Sequence, residues 1–315
     1  MNAHEQQILV LGAGDTGISV VRWALRLGAR VRIADTRDDP PGLAQLATLL
    51  PRRDIVLGRF DAALFGDAEL VVASPGVAVA GPACDPAVAA ALAQGKEFIG
   101  DVELFAREQN ALAQQDKRPT MLAITGTNGK STVTAMAGAM CRAAGLRTVV
   151  AGNIGLPVLD AALAARDTGQ PDVYVVELSS FQLETTRSLH CDAAAMLNLS
   201  EDHLDRYATM ADYAAAKRRI FSGATHQVLN RDDAASRAMR DPARRASSFG
   251  LGKPGPGEFG IDAGMLREGA ADLLPLADMP LAGLHNAANA LAAFALCRAI
   301  GLPAAPLAEG LRGFG

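Results

Sequence analysis

The 315-residue sequence holds only four cysteines, and no two share a C-x-x-C spacing. That argues against a zinc site and against a disulfide framework. Cys141, Cys191 and Cys297 sit in apolar stretches and read as small core residues. No apolar run approaches the roughly 18 residues a membrane span needs. The polar stretch from Met1 to Gln7 leads straight into a strand, without the apolar segment of a secretion signal, so a cytoplasmic location is expected. The net charge is −4 and there is no long basic run, so neither nucleic acid nor a membrane is expected as a partner. Anionic ligands must then be met by loops, helix ends and single cations. One glycine is also missing. A standard phosphate loop has glycine five residues before its Gly-Lys pair, and here that position is Ile124.

What the sequence does have is half apolar and one-fifth charged residues, the balance of a globular protein. Its length calls for about two domains. Ile8–Leu11 reads as a strand, Gly12-x-Gly14-x-x-Gly17 as a turn into a helix, and Val31–Ala34 as the next strand, ending at Asp35-Thr36-Arg37. This is a β-α-β unit. Further strands are expected at Leu70–Ala73, closed by Ser74-Pro75-Gly76, and at Lys96–Ile99. The polar, aperiodic stretch 108–117 places the domain boundary near residue 110, giving domains 1–110 and 111–315. In the second domain, Met121–Ile124, Thr148–Ala151, Val173–Leu178, Ala193–Leu199 and Gln227–Asn230 are apolar strands that end in polar residues. Strands of this kind, separated by helical segments, predict a mostly parallel sheet with helices on both faces. The fold class is therefore α/β: a Rossmann-like domain followed by a P-loop ATPase-type domain. Asn286–Ala299 reads as an alanine-rich helix.

The chemistry should gather at the carboxyl ends of these strands. Gly126, Thr127, Asn128, Gly129, Lys130, Ser131 and Thr132 form a loop that can wrap backbone N–H groups around phosphate, with a lysine charge and a hydroxyl for Mg²⁺. A plain Gly/Asn turn is the bland alternative. Glu177 ends a buried strand, where an acid needs a cation or hydrogen-bond donors; a helix cap is the alternative. His203 follows a strand at the same edge and could join a metal site tuned by Asp202 or Asp205, or be structural. Spacing alone makes Lys217 a surface lysine on a helix. The glycine turn with Asp35 could hold NAD or another nucleotide diphosphate, or be a tight helix entry with no ligand.

Together, Thr125-Gly-Thr-Asn-Gly-Lys-Ser-Thr132, Gly152-Asn-Ile-Gly155, Glu177-Leu-Ser-Ser-Phe-Gln182 and Gly283-Leu-His-Asn-Ala-Ala-Asn289 resemble the Mur ligases, ATP-dependent amide-forming enzymes of peptidoglycan precursor synthesis. Asp35-Thr-Arg37, Ala73-Ser-Pro-Gly76, Gly100-Asp-Val-Glu-Leu-Phe105, Phe181-Gln-Leu-Glu-Thr-Thr186 and Glu201-Asp-His-Leu-Asp-Arg-Tyr207 resemble the member that adds D-glutamate to UDP-N-acetylmuramoyl-L-alanine. The resemblance implies ATP and Mg²⁺ as cofactors. It implies Lys130, His203 and Lys217 as catalytic, with Ser131, Glu177, His203 and a carbamylated Lys217 around metal. It also puts Asn286 and Asn289 near adenine, and Thr16, Asp35, Thr36, Arg37, Gly76, Asn153, Ser179 and Gln182 around the UDP-sugar, with no NAD. A third domain is implied beyond Leu311–Gly315. The expectation is thus a monomeric two-domain fragment that binds the UDP substrate but does not complete amide formation. A folylpolyglutamate-synthase-like ligase, a nicotinamide-dependent reductase and a non-catalytic nucleotide-binding protein are the alternatives.

Overall fold

The computed structural model describes residues 6–314; residues 1–5, most of the polar stretch where no secretion signal was expected, and Gly315 lie outside them. The first sheet has five strands, β1 (Gln7–Leu11), β2 (Arg30–Asp35), β3 (Ile55–Leu57), β4 (Leu70–Ala73) and β5 (Phe98–Ile99), in the order β3-β2-β1-β4-β5. All its pairings are parallel. The helices of this part are α1 (Asp15–Arg26), α2 (Leu43–Leu49), α3 (Pro86–Ala93) and α4 (Asp101–Ala113). Helix α4 runs through the first half of the stretch read as aperiodic. Its polar residues there are spent on other elements: Asn110 donates to Ser188 O at 2.9 Å, and Glu108 accepts from Arg166 at 2.6 Å.

The second sheet comprises β6 (Thr120–Thr125), β7 (Thr148–Gly152), β8 (Val173–Glu177), β9 (Cys191–Met196), β10 (Ala224–Asn230), β11 (Arg245–Phe249), β12 (Glu258–Asp262), β13 (Met265–Glu268) and β14 (Ala271–Pro275). Its order is β14-β13-β12-β11-β10-β9-β6-β8-β7. The pairings are parallel from β7 across to β12, and antiparallel between β12, β13 and β14, so the sheet is mixed. The helices are α5 (Lys130–Ala143), α6 (Val158–Thr168), α7 (Ser180–Glu184), α8 (Met210–Arg218), α9 (Ala234–Ala238), α10 (Leu284–Ala299) and α11 (Ala304–Arg312).

One apolar core runs from the first sheet through α1, α4 and α6 to the second. Phe105 of α4 meets Tyr174 of β8 edge-on at 5.2 Å between ring centroids. The other face of the second sheet is covered by α5, α10 and α11. Cys141 and Cys297 are buried under these helices and Cys191 in the core between the sheets, as their apolar surroundings predicted. Each sheet has a switch point: β1 is flanked by β2 and β4, and β6 by β8 and β9. Ligands of open α/β sheets sit outside such points, which fixes where to look.

Candidate functional site

The first switch point opens into a cavity of about 860 Å³. The turn after β1 and the Ser74–Gly76 turn after β4 form one side. Gly12, at φ +95°, lets them touch: a Cβ there would lie 2.8 Å from that of Ser74. Ser74 Oγ donates to Gly12 O at 3.2 Å. Thr16, Asp35, Thr36, Arg37, Gly76 and Asn153, expected around a UDP-sugar, all line this cavity. Ser179 and Gln182 do not. Ser179 caps α7, and Gln182 returns the cap by accepting from Ser179 N at 3.1 Å. Gln182 Nε2 donates to the buried Asp101 at 3.2 Å.

Asp35 is buried at the end of β2. Its Oδ2 accepts from Ala13 N and from Arg37 Nη2, both at 2.7 Å. Its Oδ1 accepts from Arg37 N at 2.9 Å and Arg37 Nε at 2.8 Å. Burial pushes its pKa up, but these donors outweigh burial and bring it to about 2. A carboxylate whose pKa falls on folding adds stability above its unfolded pKa of about 4. That stability is lost as pH falls through the folded value. Asp35→Asn should therefore lower thermal stability at pH 6 and have little effect at pH 2. Equal melting shifts at both pH values would show that the ionised form is not what the fold uses.

The second switch point carries the loop expected to hold phosphate, residues 126–132. Gly129 caps α5 at φ +83°, and a Cβ on it would lie 2.5 Å from Asn289 Oδ1 of α10. At Gly126 a Cβ would come within 2.9 Å of Leu197 Cβ. The loop is tied to the segment after β9. Thr127 N donates to Asn198 O at 3.0 Å, Asn128 N to Asn198 Oδ1 at 2.8 Å, and Ser200 N to Thr127 Oγ1 at 3.1 Å. Lys130 Nζ folds over the loop and donates to Thr127 O at 2.9 Å. Ser131 and Thr132 lie in the first turn of α5, whose free N–H groups and dipole favour anions. Asn286 and Asn289 lie one turn apart on α10, 3.4 Å between Asn289 Nδ2 and Asn286 Oδ1.

Lys217 corrects the reading from spacing. It is buried, not on the surface, and its Nζ donates to Gly126 O at 2.7 Å and lies 4.8 Å from the centroid of the Tyr213 ring. Helix periodicity could not show this, because the loop that covers it is 91 residues away in sequence. Burial, and then the charge of Lys130, lower its pKa to about 7, against the opposing pull of Asp202 and Glu177.

Glu177, buried at the end of β8, accepts from Asn153 Nδ2 at 3.0 Å. Asn153 is thus on the wall of the first cavity and bonded to the acid of the second site. His203 holds a left-handed backbone, φ +54°, with its ring 4.6 Å from Phe181 and 5.9 Å from Tyr213 between centroids. Its Nε2 is 3.5 Å from Asp202 Oδ2. Among the described residues no three His, Cys, Asp or Glu side chains cluster as a metal-binding group. The hydroxyl of Ser131 and the carboxylate of Glu177 are nevertheless hard oxygen donors, which fits Mg²⁺ that also binds phosphate. Asn198, Ser200, Tyr213 and Arg206 were not singled out from sequence. Asn198 fell inside the strand expected at Ala193–Leu199, but β9 ends at Met196 and leaves Asn198 in the segment that meets the loop.

Two sheets, one parallel and one mixed, each open at a switch point, define an α/β protein. The chain belongs to the Mur ligase family. It matches the Mur ligase middle domain over residues 124–297 and the MurD-like N-terminal domain over residues 6–100. It is 54% identical to the UDP-N-acetylmuramoylalanine–D-glutamate ligase of Thiobacillus denitrificans, over 98% of this chain and 66% of that protein. It is 52% identical to the ligase of the same name from Methylobacillus flagellatus, again over 98% and 66%. The chain thus spans about two-thirds of the length of these relatives. Among solved structures it resembles UDP-N-acetylmuramate:L-alanyl-gamma-D-glutamyl-meso-diaminopimelate ligase of Neisseria meningitides, with TM-score 0.65 and 22% identity, over 99% of this chain and 98% of that one. It also resembles UDP-N-acetylmuramate-alanine ligase of Thermotoga maritima, with TM-score 0.58 and 20% identity, over 98% and 69%. At those identities the likeness concerns the fold.

Proposed function

We propose that this chain provides the UDP-substrate and ATP sites of a ligase that joins D-glutamate to UDP-N-acetylmuramoyl-L-alanine. The observation that carries this is Asn153, which lines the first cavity and donates to Glu177 at the phosphate-loop edge. A substrate anchored by its nucleotide in the first cavity would present its far end, the alanine carboxylate, to the second.

In the first cavity, Thr16 and the glycine turn would meet the diphosphate at the start of α1, with Asp35, Thr36 and Arg37 toward the nucleoside. Ser179 would lie further along the sugar, held in place by the cap bond to Gln182, itself anchored on Asp101. At the second site the backbone of Gly126–Gly129 and Lys130 would hold the phosphates of ATP, with Asn286 and Asn289 toward adenine. Two anions must approach each other, so the charge of Lys130 matters most as the γ-phosphoryl group moves to the carboxylate. An oxygen of the alanine carboxylate bonds to the γ-phosphorus and ADP leaves. The D-glutamate amine then attacks the acyl carbon, phosphate leaves, and the amine gives up a proton. Mg²⁺, held by Ser131 and Glu177 and by His203 with a carbamylated Lys217, would supply neutralising charge. The uncharged fraction of Lys217 is the form that can take up CO₂. A nucleotide triphosphate as phosphoryl donor suits the cytoplasm.

Thermal shift with UDP-N-acetylmuramoyl-L-alanine, Mg²⁺·ATP and NADH tests this reading, since a ligand of the folded state raises apparent stability. The UDP-sugar should give the largest rise and NADH none; a rise with NADH alone would sink the proposal. We further propose that these 315 residues by themselves do not complete amide formation. D-glutamate-dependent phosphate release from them would refute that.

A further inference from the structure

Arg206 is buried where the first sheet's loops meet the second domain. Its Nη1 donates to Pro75 O at 3.2 Å, and its Nη2 donates to Glu184 Oε2 at 2.7 Å and reaches Val77 O at 3.5 Å. Pro75 and Val77 belong to the turn that lines the first cavity. On its other side the guanidinium lies over Phe181, 4.6 Å from the ring centroid. The same ring packs on His203, also at 4.6 Å. Backbone joins the two as well, because Arg206 N and Tyr207 N both donate to His203 O at 3.0 Å. The guanidinium therefore touches the wall of the first cavity and the ring under His203, while the backbone of the same residue closes the turn that carries His203. Only a guanidinium can do this, since it offers several in-plane donors and a stacking face at once.

We propose that Arg206 is a positioning residue through which filling of the first cavity fixes the His203 turn beside the phosphate loop. The inference rests on the functional reading above and names how its two sites are linked. A ligand that immobilises the Ser74–Val77 turn immobilises the carbonyls that Arg206 holds, and with them its stack on Phe181. By linkage, nucleotide at the phosphate loop must then tighten the UDP-sugar by the same factor as the UDP-sugar tightens nucleotide.

The test is calorimetric titration of Mg²⁺·AMP-PNP, with and without saturating UDP-N-acetylmuramoyl-L-alanine, for the unaltered chain, Arg206→Lys and Glu184→Gln. Arg206→Lys keeps the charge but loses the fork and the stack; Glu184→Gln keeps Arg206 but loosens its aim. The unaltered chain should bind nucleotide about 5-fold or more tighter when the UDP-sugar is present, within the usual range of coupled sites. Arg206→Lys should bind nucleotide alone with unchanged affinity but lose most of that enhancement, and Glu184→Gln should lose part of it. A residue that merely holds the domains together would change melting temperature and leave the enhancement intact. Full enhancement in both variants, or none in an unaltered chain that binds both ligands, would overturn the inference. An unaltered chain that fails to bind the UDP-sugar at all would overturn the functional reading, and the inference with it.

Discussion

Lys130→Ala is expected to weaken Mg²⁺·ATP binding by roughly 10- to 100-fold, the loss that follows from removing one charged hydrogen-bond donor worth about 1.5–3 kcal/mol. It should do so with little cost to the fold. Lys130 is only partly buried, and its Nζ makes one hydrogen bond, to Thr127 O of its own loop. Removing it therefore leaves a single loop carbonyl to be rehydrated. A second consequence comes from electrostatics. The charge of Lys130 helps to lower the pKa of Lys217, so Lys217 should become more basic in Lys130→Ala. Equilibrium titration of a fluorescent ATP analogue measures the first effect, and the pH dependence of Lys217 acylation the second. An affinity within about 2-fold of the unaltered chain would mean that the loop is a turn and not a phosphate site, since even a single weak charged contact is worth more than that.

Gly152→Ala should produce the largest loss of stability. Gly152 ends β7 at φ +127°, a conformation alanine adopts only under strain. A Cβ there would also sit 2.1 Å from Glu177 O, backbone that cannot step aside. That carbonyl already accepts from Asn153 N at 2.9 Å, so the clash falls on the residues that join the two sites. Strain and overlap together should cost about 3 kcal/mol or more. Urea denaturation would show it as a lower midpoint. UDP-sugar affinity should fall as well, because Asn153 must move with the strand. Stability within about 1 kcal/mol of the unaltered chain would show that the two strand ends are not packed as described.

The β-α-β unit at the start was legible because its signals are local: an apolar strand, glycines at fixed spacing, an acid at the end of the next strand. The glycine-rich turn from β6 into α5 was legible for the same reason. The edge strands β11–β14 were not. They are short and only partly apolar, and their order depends on pairing with β10, which no local pattern records. Helix α4 hid its last turns because Glu108 and Asn110 bond distant partners. Within the candidate sites, Lys217 looked exposed because its cover, Gly126, comes from far upstream. Arg206 stood within a quoted motif, but its contact with Pro75 could not be read because the two lie 131 residues apart.

The central claim is that the glycine turn after β1 is a UDP-sugar site and the loop after β6 an ATP site. Hydrogen exchange read by mass spectrometry tests it most directly, with UDP-N-acetylmuramoyl-L-alanine, Mg²⁺·AMP-PNP and NADH added separately. The account predicts that the UDP-sugar protects residues 12–17 and 74–77, that the nucleotide protects residues 126–132, and that NADH protects neither. Protection of residues 12–17 by NADH, with none from the UDP-sugar, would contradict it.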